Sequence, residues 1–192
     1  MSIRVIAGTA KGRRLKLVPG DVTRPIMDRV KESLFNIIGR EILDAAFLDL
    51  FAGTGSVGIE ALSRGARHAL LTDIDARAVR TINDNLTLTG FAPRATVRRI
   101  DAFALLKLPP DQPYDFVYIA PPQYKGLWLA ALRALNENRA WLRPGGQAIV
   151  QIDPTEYEAL PFDPLRLDDE RRYGNTLLLF FRFPAEETQS RG

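Results

Sequence analysis

Apolar residues along this chain recur with two different periods. Six-residue runs rich in apolar and β-prone residues sit at "AFLDLF" (46–51), "HALLTD" (68–73), "ATVRRI" (95–100), "YDFVYI" (114–119) and "QAIVQI" (147–152). These read as strands. Between them lie stretches whose apolar positions return every three or four residues, as on one face of a helix. Helices are predicted over "SVGIEALSRG", ending at Gly65, and over "ARAVRTINDNLTLTG", ending at Gly90. A short one is predicted near "AFALLK" and another from about Leu127 to Asn138, followed by "LRPGG" as a loop. Strands and helices taking turns, with short connections, predict a doubly wound parallel sheet.

The two ends break this rhythm. "IRVIAG" (3–8) and "RRLKLV" (13–18) predict two short strands around "TAKG". "PGDVTRP" is loop, and "DRVKESLFNIIG" predicts an amphipathic helix. Asp28 is its expected N-cap, Val30, Leu34, Ile37 and Ile38 its buried stripe, and Gly39 its stop. Near the C-terminus, "LRLDDERRYGNTLLLFFRF" holds two extended runs that meet at Tyr173, Gly174, Asn175 and Thr176, which predicts an antiparallel finish. The expected architecture is one α/β domain over 23–184. Its sheet has seven strands, mostly parallel, with an antiparallel last strand. A basic β-hairpin precedes it over 1–22, and 185–192 reads as a flexible tail.

Composition narrows the chemistry. There is no cysteine, so disulfides, thiol nucleophiles and zinc–thiolate sites are excluded. The single histidine, His68, reads as a polar residue entering a strand, and no metal site is expected. No apolar run approaches the length of a membrane span and the N-terminus lacks the apolar core of a signal peptide, so a cytoplasmic location is expected. Nothing in the sequence requires a dimer, so a monomer is expected. Net charge is only +3, but residues 1–40 hold nine Lys/Arg against three acids, which leaves the rest of the chain at −3. Such clustering is either a solvated face or a contact for a polyanion. Its position at one end of a near-neutral body favours the polyanion.

The first strand of the sheet runs into "LDLFAGTGSVG". Gly53, Gly55 and Gly58 have the G-x-G-x-x-G spacing between a strand and a helix, and Asp73 ends the next strand twenty residues after Gly53. This pattern fits a nucleoside site, with glycines for close backbone approach and an acid for ribose hydroxyls. An NAD-dependent oxidoreductase is one reading. Asp49 argues against it, because a diphosphate over this helix N-terminus would meet its negative charge. S-adenosylmethionine (SAM) carries no phosphate, and its sulfonium and ammonium are favoured by a nearby carboxylate. Asp73 would accept from both ribose hydroxyls, and Asp101, just after the third strand, lies where an adenine amino group would be read.

The fourth strand ends stiffly, at Ala120, Pro121 and Pro122, with Gln123 and Tyr124 beyond. Adjacent prolines fix φ and remove two amide donors, so the strand cannot continue. Here the sequence resembles the bacterial RsmD group, methyltransferases that modify guanine N2 in small-subunit ribosomal RNA. The likeness runs from about Arg4 to Phe183. "RVIAGTAKGRRL" is similar to that group's basic hairpin, and "RPIMDRVKESLFNII" to its "RP..DRV.E.LFN" helix. "LDLFAGTGSVGIEALSRGA" is similar to its cofactor loop, "TDIDARAV" to its ribose segment and "RYGNT" to its last hairpin. The resemblance implies a Rossmann-like SAM-dependent fold. It implies a cofactor set of Asp49, Phe51, Gly53, Thr54, Gly55, Asp73, Ile74, Asp101 and Ala102. Phosphate contacts would come from Arg4, Lys11, Arg13, Arg14, Lys16 and Arg24, and the partner would be small-subunit ribosomal RNA or its assembly particle.

The group's fourth-strand motif is Asp/Asn-Pro-Pro-aromatic. The acid or amide and a backbone carbonyl each hold one N–H of the target amine, and the aromatic ring stacks on the flipped base. Ala120, Pro121, Pro122 and Tyr124 are the corresponding candidates. Ala120 has no side-chain acceptor, Gln123 is not aromatic, and Tyr124 lies one residue late. Three outcomes stay open: an active enzyme that uses backbone carbonyls and Gln123, a SAM-binding RNA or assembly factor with little or no catalysis, and action on a different target atom.

Overall fold

In a computed structural model, residues 3–20, 26–159 and 163–183 are described. The expected tail at 185–192 and Arg24 lie outside them. Two strands come first, β1 (Ile3–Arg4) and β2 (Arg14–Leu15). They are followed by α1 (Asp28–Ile38), β3 (Ala46–Asp49), α2 (Ser56–Ser63), β4 (His68–Asp73), α3 (Ala76–Thr89) and β5 (Ala95–Arg99). Then come α4 (Ala102–Leu106), β6 (Tyr114–Ile119), α5 (Leu127–Glu137), β7 (Leu142–Ile152), β8 (Arg166–Tyr173) and β9 (Thr176–Arg182). The large sheet has the order β5-β4-β3-β6-β7-β9-β8. Its strands β3 to β7 are mutually parallel, and β9 runs antiparallel to both β7 and β8. This is the predicted seven-stranded sheet. Among the described residues no helix is long and apolar enough to cross a membrane.

Two apolar cores lie on opposite faces, which is why the central strands read as near-continuous apolar runs. Phe47, Phe116 and Tyr118 point into the core shared with α1, α2, α3 and the hairpin. Leu48, Tyr114, Val117 and Ile119 point into the core shared with α4 and α5, where Trp128 and Trp141 are fully buried. Strand order reverses between β3 and β6. In open α/β sheets the crevice outside the carboxyl ends of those two strands is where ligands bind.

Several local features differ from the sequence expectation. Hairpin pairing is limited to Ile3 with Leu15 and Arg4 with Arg14, far shorter than 3–8 and 13–18. Beyond these pairs the Val5 amide donates to the Arg13 carbonyl and the Gly12 amide to the Val5 carbonyl, and side chains of the main body hold several of the other backbone groups. Glu60 accepts from the amides of Ile6 (2.8 Å) and Ala7 (3.0 Å). Ser63 Oγ accepts from the Ala10 amide, and Asn85 Oδ1 from the Lys16 amide. Asp28 does not cap α1; Met27 occupies that position without a side-chain cap bond, and the Asp28 carboxylate accepts from Arg4 Nε at 2.9 Å. Ile37 is exposed and Phe35 is buried in its place, because the inward stripe runs through Lys31, Leu34, Phe35 and Ile38. That is the i, i+3, i+4, i+7 spacing of one helix face, with a lysine on it.

"LRPGG" belongs to β7 rather than to a loop. Tyr114 pairs with Leu142 and Phe116 with Gln147, so β7 bulges by three residues opposite β6. A Cβ on Gly146 would lie 2.9 Å from the Arg143 carbonyl oxygen, which explains a glycine at this crowded point.

Candidate active site

The glycine loop leaves β3 at the strand-order reversal, and each glycine has its own task. Gly53 has φ +54, and an added Cβ there would meet nothing within 4 Å, so its open side faces the crevice. Gly55 stands at the N-cap of α2 with φ +77. Gly58 lets α2 lie close on the sheet, since a Cβ there would fall 2.8 Å from Leu71 Cδ2. The loop closes by a 2.7 Å bond from the Gly55 amide to the Ala52 carbonyl.

Asp49 lies beneath this loop, 1% exposed. Its Oδ2 accepts from the Gly58 amide at 3.0 Å, while Oδ1 is buried with no hydrogen-bond partner. Burial is the main cause that pushes its carboxyl up to about 7; the Gly58 bond opposes the shift and the nearby Asp73 charge adds to it. Tyr118, opposite Asp49 in the register, is held far above the usual phenol value by burial and by Asp49. Its hydroxyl donates to Gln151 Oε1 at 2.5 Å.

Asp73 is fixed by backbone on both oxygens. Oδ2 accepts from the Gly53 amide and Oδ1 from the Asp75 amide, each at 2.9 Å. A carboxylate oxygen has a second lone pair, so both remain able to accept from a diol. Ile74, next along, is 65% exposed, a large apolar side chain presented at the strand end. Asp101 caps α4, accepting at Oδ1 from the amides of Phe103 (3.0 Å) and Ala104 (2.9 Å). Phe51 and Phe103 meet edge to face at 6.4 Å between ring centres. Thr54 offers its carbonyl to Asn85 Nδ2, which also donates to the Lys16 carbonyl and so couples the cofactor loop to the hairpin. Ala102 is buried at the start of α4.

These residues fit SAM. The unpartnered buried oxygen of Asp49 is satisfied by a cationic donor and worsened by a phosphate. The open space beside Gly53 leaves the loop free for close approach, and apolar surface at Ile74, Phe51 and Phe103 adjoins the two outer acids.

Across the reversal, the loop after β6 holds the second group of candidates. Ala120 packs against the α1-side core, Pro121 is buried, and Pro122 and Gln123 are exposed. Tyr124 has a left-handed backbone, φ +61, and its side chain is among the most exposed large apolar groups, at 69%. Its amide donates to Glu156 Oε2 at 2.8 Å and its hydroxyl to Asp153 Oδ2 at 3.2 Å. Sequence reasoning missed these two acids. The available signal was the Asp-Pro-Thr start of a turn right after β7, where Asp153 accepts from the Thr155 amide.

Of the candidate phosphate contacts, Arg4 pairs with Asp28 and Lys16 with Asp84 at 2.8 Å. Lys11, Arg13 and Arg14 are exposed with no ion pair among the described residues. His68 bridges Thr96 and Gln112 at the start of β4, as a polar residue entering a strand.

A doubly wound sheet with this reversal, this glycine loop and these acids defines a Rossmann-like SAM-dependent methyltransferase. Residues 3–182 match the family described as Conserved hypothetical protein 95, and the chain belongs to that family, the RsmD family. The protein YlbH of Bacillus subtilis is 41% identical over 153 residues, 79% of this chain and 83% of that one. Ribosomal RNA small subunit methyltransferase D of Haemophilus influenzae is 37% identical over 153 residues, 79% of each chain. The solved structure of yhhF from Escherichia coli has a TM-score of 0.84 at 33% identity, covering 97% of this chain and 100% of its own.

Proposed function

We propose that this methyltransferase moves the methyl group of SAM to the exocyclic N2 amine of a guanine in small-subunit ribosomal RNA. The observation that carries the cofactor half of this reading is Asp49, a buried carboxylate with one idle oxygen at the strand-order reversal. The RNA half is supported by the Haemophilus relative, whose name gives small-subunit ribosomal RNA as its substrate. The exposed basic residues Lys11, Arg13 and Arg14 support it too.

Bound SAM supplies an electrophilic methyl group. Asp49 and the Gly53 side of the loop hold its charged end, Asp73 accepts from the ribose hydroxyls, and Ile74, Phe51, Ala102 and Asp101 enclose the adenine. Pro121 and Pro122 make the Ala120 end of β6 rigid. Its carbonyls can then hold the target amine N–H groups in one orientation, which is worth several kcal/mol only if the geometry is fixed in advance. The Tyr124 ring stacks on the base. Mass spectrometry of small-subunit RNA from cells with and without this gene tests the reading. A methylguanosine lost with the gene is the expected result; an unchanged nucleoside profile would overturn it.

Ala120 favours a second reading, a SAM-binding RNA or assembly factor with little turnover, because no side-chain acceptor stands where the family has Asp or Asn. Ala120→Asn separates the two. In an enzyme, the new acceptor should hold or raise single-turnover transfer to small-subunit particles, by up to about tenfold to a hundredfold for one full transition-state hydrogen bond. Absence of transfer from both proteins, with SAM still bound, selects the non-catalytic factor.

A further inference from the structure

Two acids on the turn after β7, Asp153 and Glu156, accept hydrogen bonds from the exposed Tyr124. A left-handed backbone is unfavourable for any residue with a Cβ and persists only where the surroundings hold it. Tyr124 is such a residue, and it is held at both ends: its amide by Glu156 and its phenol tip by Asp153. Both acids sit on the turn that follows β7. That turn is itself firm. Asp153 accepts from the Thr155 amide (2.9 Å) and hydroxyl (2.7 Å), and Tyr157 stacks at 6.5 Å on Trp128 of α5, the helix into which the Tyr124 loop runs.

Glu156 keeps one oxygen, Oε1, buried without a hydrogen-bond partner. An idle buried carboxylate oxygen lowers stability, so packing alone does not account for this side chain. What it does achieve is a charged acceptor at 2.8 Å from the Tyr124 amide. An aromatic ring on a free loop must be ordered each time a base stacks on it. One tied at backbone and tip is ordered beforehand.

We propose that Asp153 and Glu156 are positioning residues for methyl transfer, which fix the Tyr124 ring as a rigid platform next to Pro121 and Pro122. This rests on the reading of Tyr124 as the base platform, and the experiment separates the two. The set is wild type, Tyr124→Phe, Tyr124→Ala, Asp153→Ala, Glu156→Ala, Glu156→Gln and the double variant Tyr124→Ala/Glu156→Ala. Amide exchange at Tyr124 in the protein without RNA is the first measurement. Exchange should be slow in wild type and in Glu156→Gln, whose amide oxygen accepts the same N–H, and fast in Glu156→Ala. Equal exchange in wild type and Glu156→Ala would overturn the proposal.

Single-turnover transfer to small-subunit particles is the second, with SAM affinity measured alongside. Glu156→Ala and Asp153→Ala should each slow transfer by about tenfold, the usual scale for one lost hydrogen bond to a charged group. Tyr124→Phe should slow it like Asp153→Ala. SAM affinity should not move in any of them, and Glu156→Gln should restore most of the rate. In the Tyr124→Ala background, Glu156→Ala should add no further loss. A further loss there would mean that Glu156 acts by another route, and the proposal fails. Full-rate Asp153→Ala and Glu156→Ala beside a slow Tyr124→Ala would remove the positioning role and leave the platform. A wild-type rate in Tyr124→Ala would remove the platform and the positioning role with it.

Discussion

A buried carboxylate contributes a pH dependence of its own to the stability of this protein. Asp49 has its pKa pushed up to about 7 in the folded chain, against 3.8 when unperturbed. Between those values the folded protein holds a proton that the unfolded chain has released. Stability from this group is therefore full below about pH 3.8 and is lost as pH rises through about 7. Asp49→Asn removes the titration and can keep the Gly58 bond through its amide oxygen. It should raise the Tm of the SAM-free protein at pH 8 and change it little at pH 4, with each kcal/mol gained worth on the order of 2–4 °C. Binding a cation reverses the preference, so SAM should expel the proton. At pH 7 calorimetry in buffers of different ionisation enthalpy should register roughly half a proton released per SAM bound. The release should vanish in Asp49→Asn. The same buffer dependence in both proteins would take Asp49 out of the cofactor site.

Among the elements, the hairpin shows best how little of its own structure it carries. Two of its amides, those of Ile6 and Ala7, end on Glu60, a side chain 0% exposed that also faces Lys31 Nζ at 3.6 Å and Arg64 Nε at 2.8 Å. Lys31 Nζ in turn donates to the Arg4 carbonyl at 2.7 Å. Glu60→Ala strands the lysine and two amides, and breaking one side of a buried ion pair costs about 3–5 kcal/mol. A thermal melt should fall accordingly, and Lys31→Met in the same chain should recover part of the loss. Failure to recover any would show that the two amides, not the charge, set the cost. None of this was legible in the sequence. Glu60 and Lys31 sit in ordinary helical patterns, and which charged residue turns inward depends on partners 27 to 54 residues away. What periodicity did reveal was the alternation of β3 to β7 with their helices, because burial on both faces of a parallel strand leaves an apolar run. The glycine loop and its acids were legible for a similar reason: backbone conformation and close packing there restrict residue type locally. The Pro-Gly-Gly of β7 misled because a bulge and a turn ask for the same residues. Tyr124 could be placed on its loop, but its tethers come from the end of another strand.

The whole molecule is nearly neutral, yet its charges are divided between a basic hairpin and a body that is acidic at the ends of its parallel strands. Phosphate binding is an electrostatic matter of exchange, in which bound cations leave the RNA as lysines and arginines arrive, so affinity falls with salt. The hairpin's cations do not all stand ready for that exchange. Arg4 and Lys16 lie in exposed pairs with Asp28 and Asp84, each worth little in stability, and both must trade a carboxylate for a phosphate. Lys11, Arg13 and Arg14 have no such partner among the described residues. Replacing Lys11, Arg13 and Arg14 together with Ala should flatten the plot of log affinity for small-subunit RNA against log salt, by about 0.7 to 0.9 for each phosphate no longer neutralised. Arg4→Ala with Lys16→Ala should change that slope less. SAM affinity should stay as it was in the triple variant, since the hairpin's link to the cofactor loop runs through the backbone carbonyl of Lys16, by way of Asn85 to the Thr54 carbonyl, and not through those three side chains. The decisive quantity is the slope and not the affinity at one salt concentration, because a misfolded hairpin would weaken binding at every salt while leaving the remaining cations to release their ions. Equal slopes for wild type and the triple variant would return these three residues to an ordinary solvated face. The RNA would then have to be held by cations outside the hairpin, such as the exposed Arg172 of β8.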